Sequence, residues 1–292
     1  MKLSVCTISF RHQLISLKQI ALWAQRNNFC GVELWGVHAR NLGELPECNR
    51  DWLKSHNLKV SMLSDYLPLI GDKKIATDKT SHLCRLAQNW GAKKLRTFAF
   101  DRGSHLVTIE ERKHIALRMR ELCNIAEANG IYLVVETHPN TLADTLESTL
   151  QLLDEVNHPA LRINFDVIHL WEAGDEPVQA FKALQNLIVH MHLKNVTARN
   201  LLEVFAPANV YAPAGRRDGM VNLFEGEFDF QQFLKSVLNN SQFPWQELDA
   251  SLEWFGPNVM STLEHDGREI AKLQTEHSRK PGVMIKHTAS VV

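Results

Sequence analysis

Residues 108–140 read TIEERKHIALRMRELCNIAEANGIYLVVETHPN, and the order of signals within them decides the fold. Thr108 and Glu111 have the spacing of a capping box, in which each side chain satisfies a backbone amide that a helix start leaves without a partner. Ile115, Met119, Leu122 and Ile125 then repeat along one face at roughly the 3.6-residue period. Gly130 stands where a left-handed residue ends a helix. A strand opens at once: Ile131 to Val135 are suited to burial, and they are followed by Glu136 and His138. A helix that hands over to a buried strand, closed by a carboxylate and an imidazole, is one unit of an alternating chain.

The handover recurs. Strands are predicted at about 2–8 (KLSVCTI), 31–35 (GVELW), 59–65 (KVSMLSD), 94–100 (KLRTFAF), 131–137 (IYLVVET), 161–166 (LRINFD), 187–193 (LIVHMHL) and 250–254 (ASLEW). Eight strands alternating with helical segments in a chain of 292 residues predict an α/β fold, a single closed (β/α)8 TIM barrel. An open doubly wound sheet would carry a glycine-rich turn after its first strand, and SFRHQL is not one. With no linker or repeat, residues 1–292 read as one domain. The connection at about 195–227 is long and weakly periodic, yet it contains Leu202, Phe205, Val210 and Tyr211. Loops of that length in a compact domain are usually functional, so an ordered lid is expected. After about residue 278 the chain is expected to form a loosely attached tail.

Composition removes several classes of function. Lys+Arg number 32 against Asp+Glu 33, a net charge of −1, so there is no basic field for a nucleic-acid backbone. No run approaches the about 18 apolar residues of a membrane span, and MKLSVCTISFRHQ lacks the apolar core of a signal peptide. The five cysteines are scattered and odd in number, which fits a reducing cytoplasm better than a disulfide framework.

The chemistry gathers at the carboxyl ends of the late strands. Side chains two apart on a strand share a face, so Val134, Glu136 and His138 point together. The sixth strand ends in Asp166, with His169 just beyond. The seventh aligns His190, His192 and Lys194, and the eighth is apolar or small except for Glu253. A lone Glu or His at a strand end is most often a solvated surface group. Glu136, Asp166, His192 and Glu253 instead come from four strand ends that a barrel brings to one mouth. Crowded carboxylates repel unless a cation neutralises them, and an oxygen-rich set favours Mn2+ or Mg2+, with Co2+ or Zn2+ admitted by the imidazole. His138, His169 and Lys194 lie beside these ligands as candidates to move protons, the lysine through a pKa lowered by desolvation. Arg96 and the lid arginines Arg216 and Arg217 are candidates to hold a substrate carboxylate by a bidentate fork. Arg11, His12, Glu33 and Tyr66 close the early strands and are expected to line the pocket. His190 reads as a histidine satisfied within the core.

GVELWG, ETHPNTLADT, INFDVIHLWEAG, HLKN and SLEWFG together resemble the xylose-isomerase-like TIM barrels, which include sugar isomerases and epimerases. SVCTISFRHQLISL, GVELWGVHARNL, SDYLPL, ETHPNTLADTLESTL and SLEWFG resemble more closely the 3-dehydroshikimate dehydratases of petrobactin siderophore biosynthesis. The likeness runs from residue 3 to about 257. It implies a metal-dependent carbon–oxygen lyase that turns 3-dehydroshikimate into 3,4-dihydroxybenzoate (protocatechuate) by enolate formation and loss of the C5 hydroxyl. It further implies Glu136, Asp166, His192 and Glu253 as metal ligands, and His138, His169 and Lys194 as catalytic residues whose order stays open. Arg96, Tyr66, Phe205, Arg217, Tyr211 and Glu33 are the implied substrate contacts. A sugar isomerase or epimerase of the same barrel is the alternative. The expected partner is a small molecule, with neither nucleic acid nor membrane.

Overall fold

Every strand in the chain that alternates apolar residues with polar or charged ones has resolved the conflict in the same way, by turning the two sets to opposite sides of a closed sheet. The computed structural model describes residues 1–45, 48–240 and 242–278, and the tail expected after about 278 lies outside them. The strands are β1 (Lys2–Cys6), β2 (Gly31–Trp35), β3 (Lys59–Ser64), β4 (Lys94–Thr97), β5 (Tyr132–Glu136), β6 (Leu161–Asp166), β7 (Ile188–Leu193), the short β8 (Asn195–Val196) and β9 (Met220–Val221), and β10 (Asp249–Leu252). Eight of them close a barrel in the order β1–β2–β3–β4–β5–β6–β7–β10 and back to β1. Each barrel pair is parallel. Leu133 and Val135 of β5 belong to the apolar core shared with the helices, whereas Glu136 is buried among charged partners.

Five strands stop earlier than the pattern predicts: β3 and β5 by one residue, β1 and β10 by two and β4 by three. β1 ends at Cys6, and Thr7–Phe10 turns into a 3-10 helix, where the Thr7 hydroxyl accepts the Trp35 amide at 2.9 Å. β4 ends at Thr97, and Phe100 takes φ 82°, a left-handed conformation that no strand residue adopts. The helix Ile109–Ala128 has the expected capping box between Thr108 and Glu111, and Gly130 has φ 66°. Its buried face is Arg112, Ile115, Ala116, Met119, Leu122, Cys123 and Ala126. Ile125 lies at the margin of that face, half-buried.

The 195–227 segment is ordered by its own contacts. β8 and β9 pair antiparallel, with Arg199–Phe205 and Pro207–Tyr211 as short helices between them. Leu202, Val204, Phe205, Val210 and Leu223 are buried. The Asn195 amide donates to the carbonyls of Leu223 and Phe228 at 2.7 and 2.8 Å, and Gly226 lies so close that an added Cβ would sit 2.2 Å from that amide. Among the described residues no helix is long and apolar enough to cross a membrane.

The buried Asp266 carboxylate accepts the Leu223 amide at 3.1 Å. Burial pushes its pKa from 3.8 to about 7, against the smaller effect of that hydrogen bond. An acid whose pKa is raised in the fold destabilises it increasingly as pH rises from the unfolded value towards the folded one. Asp266→Asn keeps an oxygen acceptor and removes the charge. The variant should therefore melt above the parent at about pH 8, by no more than about 4 kcal/mol, with the gap closing near pH 4. Scanning fluorimetry across that range checks it.

Candidate active site

The carboxyl ends of β5, β6, β7 and β10 deliver their side chains to one buried point. His192, the fifth residue of β7, is fully buried, and its Nδ1 lies 3.5 Å from Glu136 Oε1, 3.7 Å from Asp166 Oδ2 and 3.5 Å from Glu253 Oε2. Its other nitrogen, Nε2, is 2.8 Å from Glu33 Oε2. Lys194 Nζ donates to Asp166 Oδ2 at 2.5 Å and to Glu253 Oε2 at 2.7 Å. Arg96 Nε is 2.9 Å from Glu136 Oε2, and its guanidinium lies over the rings of Tyr66 and Phe98 at 5.5 and 5.0 Å.

Mutual attraction sets the charges here. Burial alone would raise the Glu136 pKa, but Arg96 and His192 hold it well below the usual carboxylate range. Burial alone would lower that of His192, yet the carboxylates of Glu253, Glu33 and Glu136 hold it well above the usual imidazole value. For Lys194, desolvation is outweighed by Asp166 and Glu253, and its pKa is raised. The lowered lysine pKa expected from burial is thus corrected: two carboxylates in direct contact keep the ammonium charged.

At the cluster the buried His192 Nδ1 has no hydrogen-bond partner, and Glu136 Oε2 has the ion pair with Arg96. Glu136, Asp166 and His192 each offer an atom within 4.8 Å of the others, and Glu253 Oε2 approaches the same His192 nitrogen. Three carboxylates around an imidazole nitrogen that has no hydrogen-bond partner fit a divalent cation, so this set could hold one.

Both neighbouring histidines have one nitrogen committed. His138 Nδ1 is 2.8 Å from the Pro139 carbonyl, which can only accept, so the proton is on Nδ1 and the lone pair on Nε2. Burial, then the nearby His169, hold its pKa well below the usual value. His169 Nδ1 is 2.9 Å from Glu172 Oε2, its Nε2 has no hydrogen-bond partner, and the two rings lie 4.4 Å apart.

The other expected pocket residues divide. Phe205 lies under Lys194, with Nζ 5.4 Å from the ring centre. The hydroxyls of Tyr66 and Tyr211 touch, and Tyr211 stacks on Trp35 at 5.8 Å. A cavity of about 730 Å³ opens beside Tyr66, Phe98 and His138, and one of about 360 Å³ is bordered by Arg11, His12, Tyr66 and Tyr211. Two expectations need correction. Glu33 is fully buried beneath the cluster, against His190 and His192, and does not line the pocket. Arg217 commits Nη1 to the carbonyls of Asn209 and Arg216 and Nη2 to that of Ala212, so no free fork faces a carboxylate; Arg216 pairs with Asp218. Arg11, which borders the second cavity, reaches from the end of the 3-10 helix to donate Nε to the Val210 carbonyl at 2.6 Å. Glu172, three positions after His169 on a helical turn, was missed although that spacing signals a contact.

A sequence profile described as xylose isomerase-like TIM barrel matches residues 21–280. The chain is 43% identical over 282 residues to a 3-dehydroshikimate dehydratase of Bacillus anthracis, covering 94% of this chain and 99% of the relative. It is 24% identical over 201 residues to an inosose dehydratase of Clostridium perfringens, covering 69% and 64%. Among solved structures it superimposes with a TM-score of 0.87 and 43% identity, over 93% and 99% of the two chains, on the probable 3-DHS dehydratase AsbF involved in petrobactin synthesis from Bacillus anthracis. An IOLI protein with a bound zinc atom shares the fold, at TM-score 0.70 and 17% identity over 97% and 100% of the chains.

The site generates a proton linkage. The carboxylates facing His192 Nδ1 hold the imidazole's pKa above its ordinary range, so a divalent cation taking that nitrogen would compete with a proton. Affinity should therefore rise by up to about tenfold per pH unit from about pH 6 upward and level off above the raised pKa. Calorimetric titration with Mn2+ in buffers of different ionisation enthalpy should report proton release; affinity independent of pH would refute the linkage.

Proposed function

Because the chain belongs to the xylose isomerase-like TIM barrel family, we propose that it is a 3-dehydroshikimate dehydratase that uses a divalent metal to form 3,4-dihydroxybenzoate. The observation that carries the reading is 43% identity over nearly the full length of both chains to a dehydratase of that name. On this reading the product is the catechol unit for a siderophore, petrobactin, and the enzyme works in the cytoplasm.

Glu136, Asp166, His192 and Glu253 would hold the metal, which we assign as Mn2+ on the hardness of three carboxylate donors. When bound, it supplies a Lewis acid at the substrate's C3 carbonyl. His138 is our choice of base: its Nε2 lone pair is free, and its lowered pKa keeps it neutral at physiological pH. It takes the C4 proton, the C5 hydroxyl gains a proton and departs as water, and loss of a C6 proton as the C3 oxygen gains one makes the ring aromatic. Lys194, kept as an ammonium by Asp166 and Glu253, suits the role of proton donor to the departing hydroxyl. His169, anchored on Glu172, passes protons beside His138. Arg96, whose buried Nη1 has no partner, is our candidate for an oxygen of the substrate. Tyr66, Phe205 and Tyr211 wall the ring, and residues 195–227 act as the lid of a domain spanning 1–292.

Incubating the purified protein with 3-dehydroshikimate and Mn2+ should produce the ultraviolet absorbance of a catechol, and chelation should stop it. Glu253→Ala should abolish turnover, and His138→Ala should lower kcat by about 100- to 10,000-fold. Full activity after exhaustive chelation, or interconversion of ketoses without a catechol product, would overturn the proposal.

A further inference from the structure

We propose that Glu33 is the positioning residue for His192, and that a buried column running down the barrel through His190, Lys94 and Asp249 fixes which nitrogen of His192 faces the metal. The proposal rests on the metal reading above. It concerns residues beneath the site, which play no part in the chemistry just described.

Asp249 opens β10 and receives Lys59 Nζ on Oδ1 at 2.6 Å and Lys94 Nζ on Oδ2 at 2.7 Å. Lys94 also donates to the Val189 carbonyl at 2.9 Å, and its Nζ is 3.2 Å from His190 Nδ1. An ammonium has donors only, so His190 Nδ1 accepts and the ring's proton lies on Nε2. That N–H is placed between Ser251 Oγ at 2.8 Å and Glu33 Oε2 at 3.2 Å. Glu33 Oε1 accepts the Ser64 hydroxyl. Its Oε2 is 2.8 Å from His192 Nε2, and a carboxylate oxygen can only accept. His192 is thereby held with its proton on Nε2 and with Nδ1 turned to Glu136, Asp166 and Glu253.

Burial makes the arrangement strict. Glu33, His190, His192 and Ser251 are fully buried, Asp249 is 4% exposed and Lys94 8%, so water cannot replace a missing partner. Carboxylates that take the second ring N–H of a metal-bound histidine set its tautomer and orientation, and their loss typically weakens metal binding about 10- to 100-fold. Glu33, His190 and His192 also lie close enough to form a ligand group of their own. The column argues otherwise, since Glu33 Oε2 is taken up by two imidazoles and His190 Nδ1 by Lys94.

The test is Mn2+ binding, followed by the electron paramagnetic resonance of the free ion, for the unaltered protein, Glu33→Gln and Glu33→Ala. One equivalent is expected for the unaltered protein. Affinity should fall about 10- to 100-fold in Glu33→Ala and by less in Glu33→Gln, whose amide oxygen still accepts the Nε2 proton. In 15N-histidine spectra of the metal-free protein, a proton on His192 Nε2 should be visible and should become exchange-broadened in Glu33→Ala. If Glu33→Ala does not fold, the glutamine variant and the spectrum of the unaltered protein decide. Equal affinity in parent and Glu33→Ala, a second equivalent of Mn2+ that Glu33→Ala removes, or a His192 Nε2 without a proton would each overturn the proposal. Failure of the unaltered protein to bind Mn2+ would instead remove the metal reading, leaving the spectrum to judge the column.

Discussion

Four carboxylates, those of Glu33, Glu136, Asp166 and Glu253, are buried within reach of one imidazole. Removing that much negative charge from water is costly unless each group has an opposite charge or a donor. Arg96, Lys194 and His192 provide the compensation within the chain. The strand ends bring these groups together, and each of them is buried away from solvent.

The same constraint sorts groups that look alike in the sequence. His138, His169 and Lys194 all lie beside the cluster, but their partners differ. A backbone carbonyl leaves His138 a lone pair and no charge. Two carboxylates give Lys194 the opposite condition. His169 is tied to Glu172. Base and acid are thereby distinguished by hydrogen-bond partners, on the reading proposed for the enzyme.

Much of this was visible in one dimension. The capping box at Thr108, the terminus at Gly130 and the alternation through His190, His192 and Lys194 carry local information, and local information is what a sequence displays. The partners of Glu33 were not visible: His190 and His192 lie more than a hundred and fifty positions away, and nothing around GVELW indicates whether its glutamate faces a pocket or the layer beneath. Arg217 misled for a related reason. An arginine in a lid loop suggests ligand binding, but carbonyls of its own turn claimed its fork first.

Taken alone, the sequence determined the alternation of strands and helices, the barrel, and the set of residues at the strand ends, because periodicity and capping are short-range properties of the chain. The tertiary structure decided the depth of Glu33 beneath His192, the charge on Lys194 and the free nitrogen of His138. Those depend on distances between strands and on exclusion of water, and neither exists until the barrel has closed.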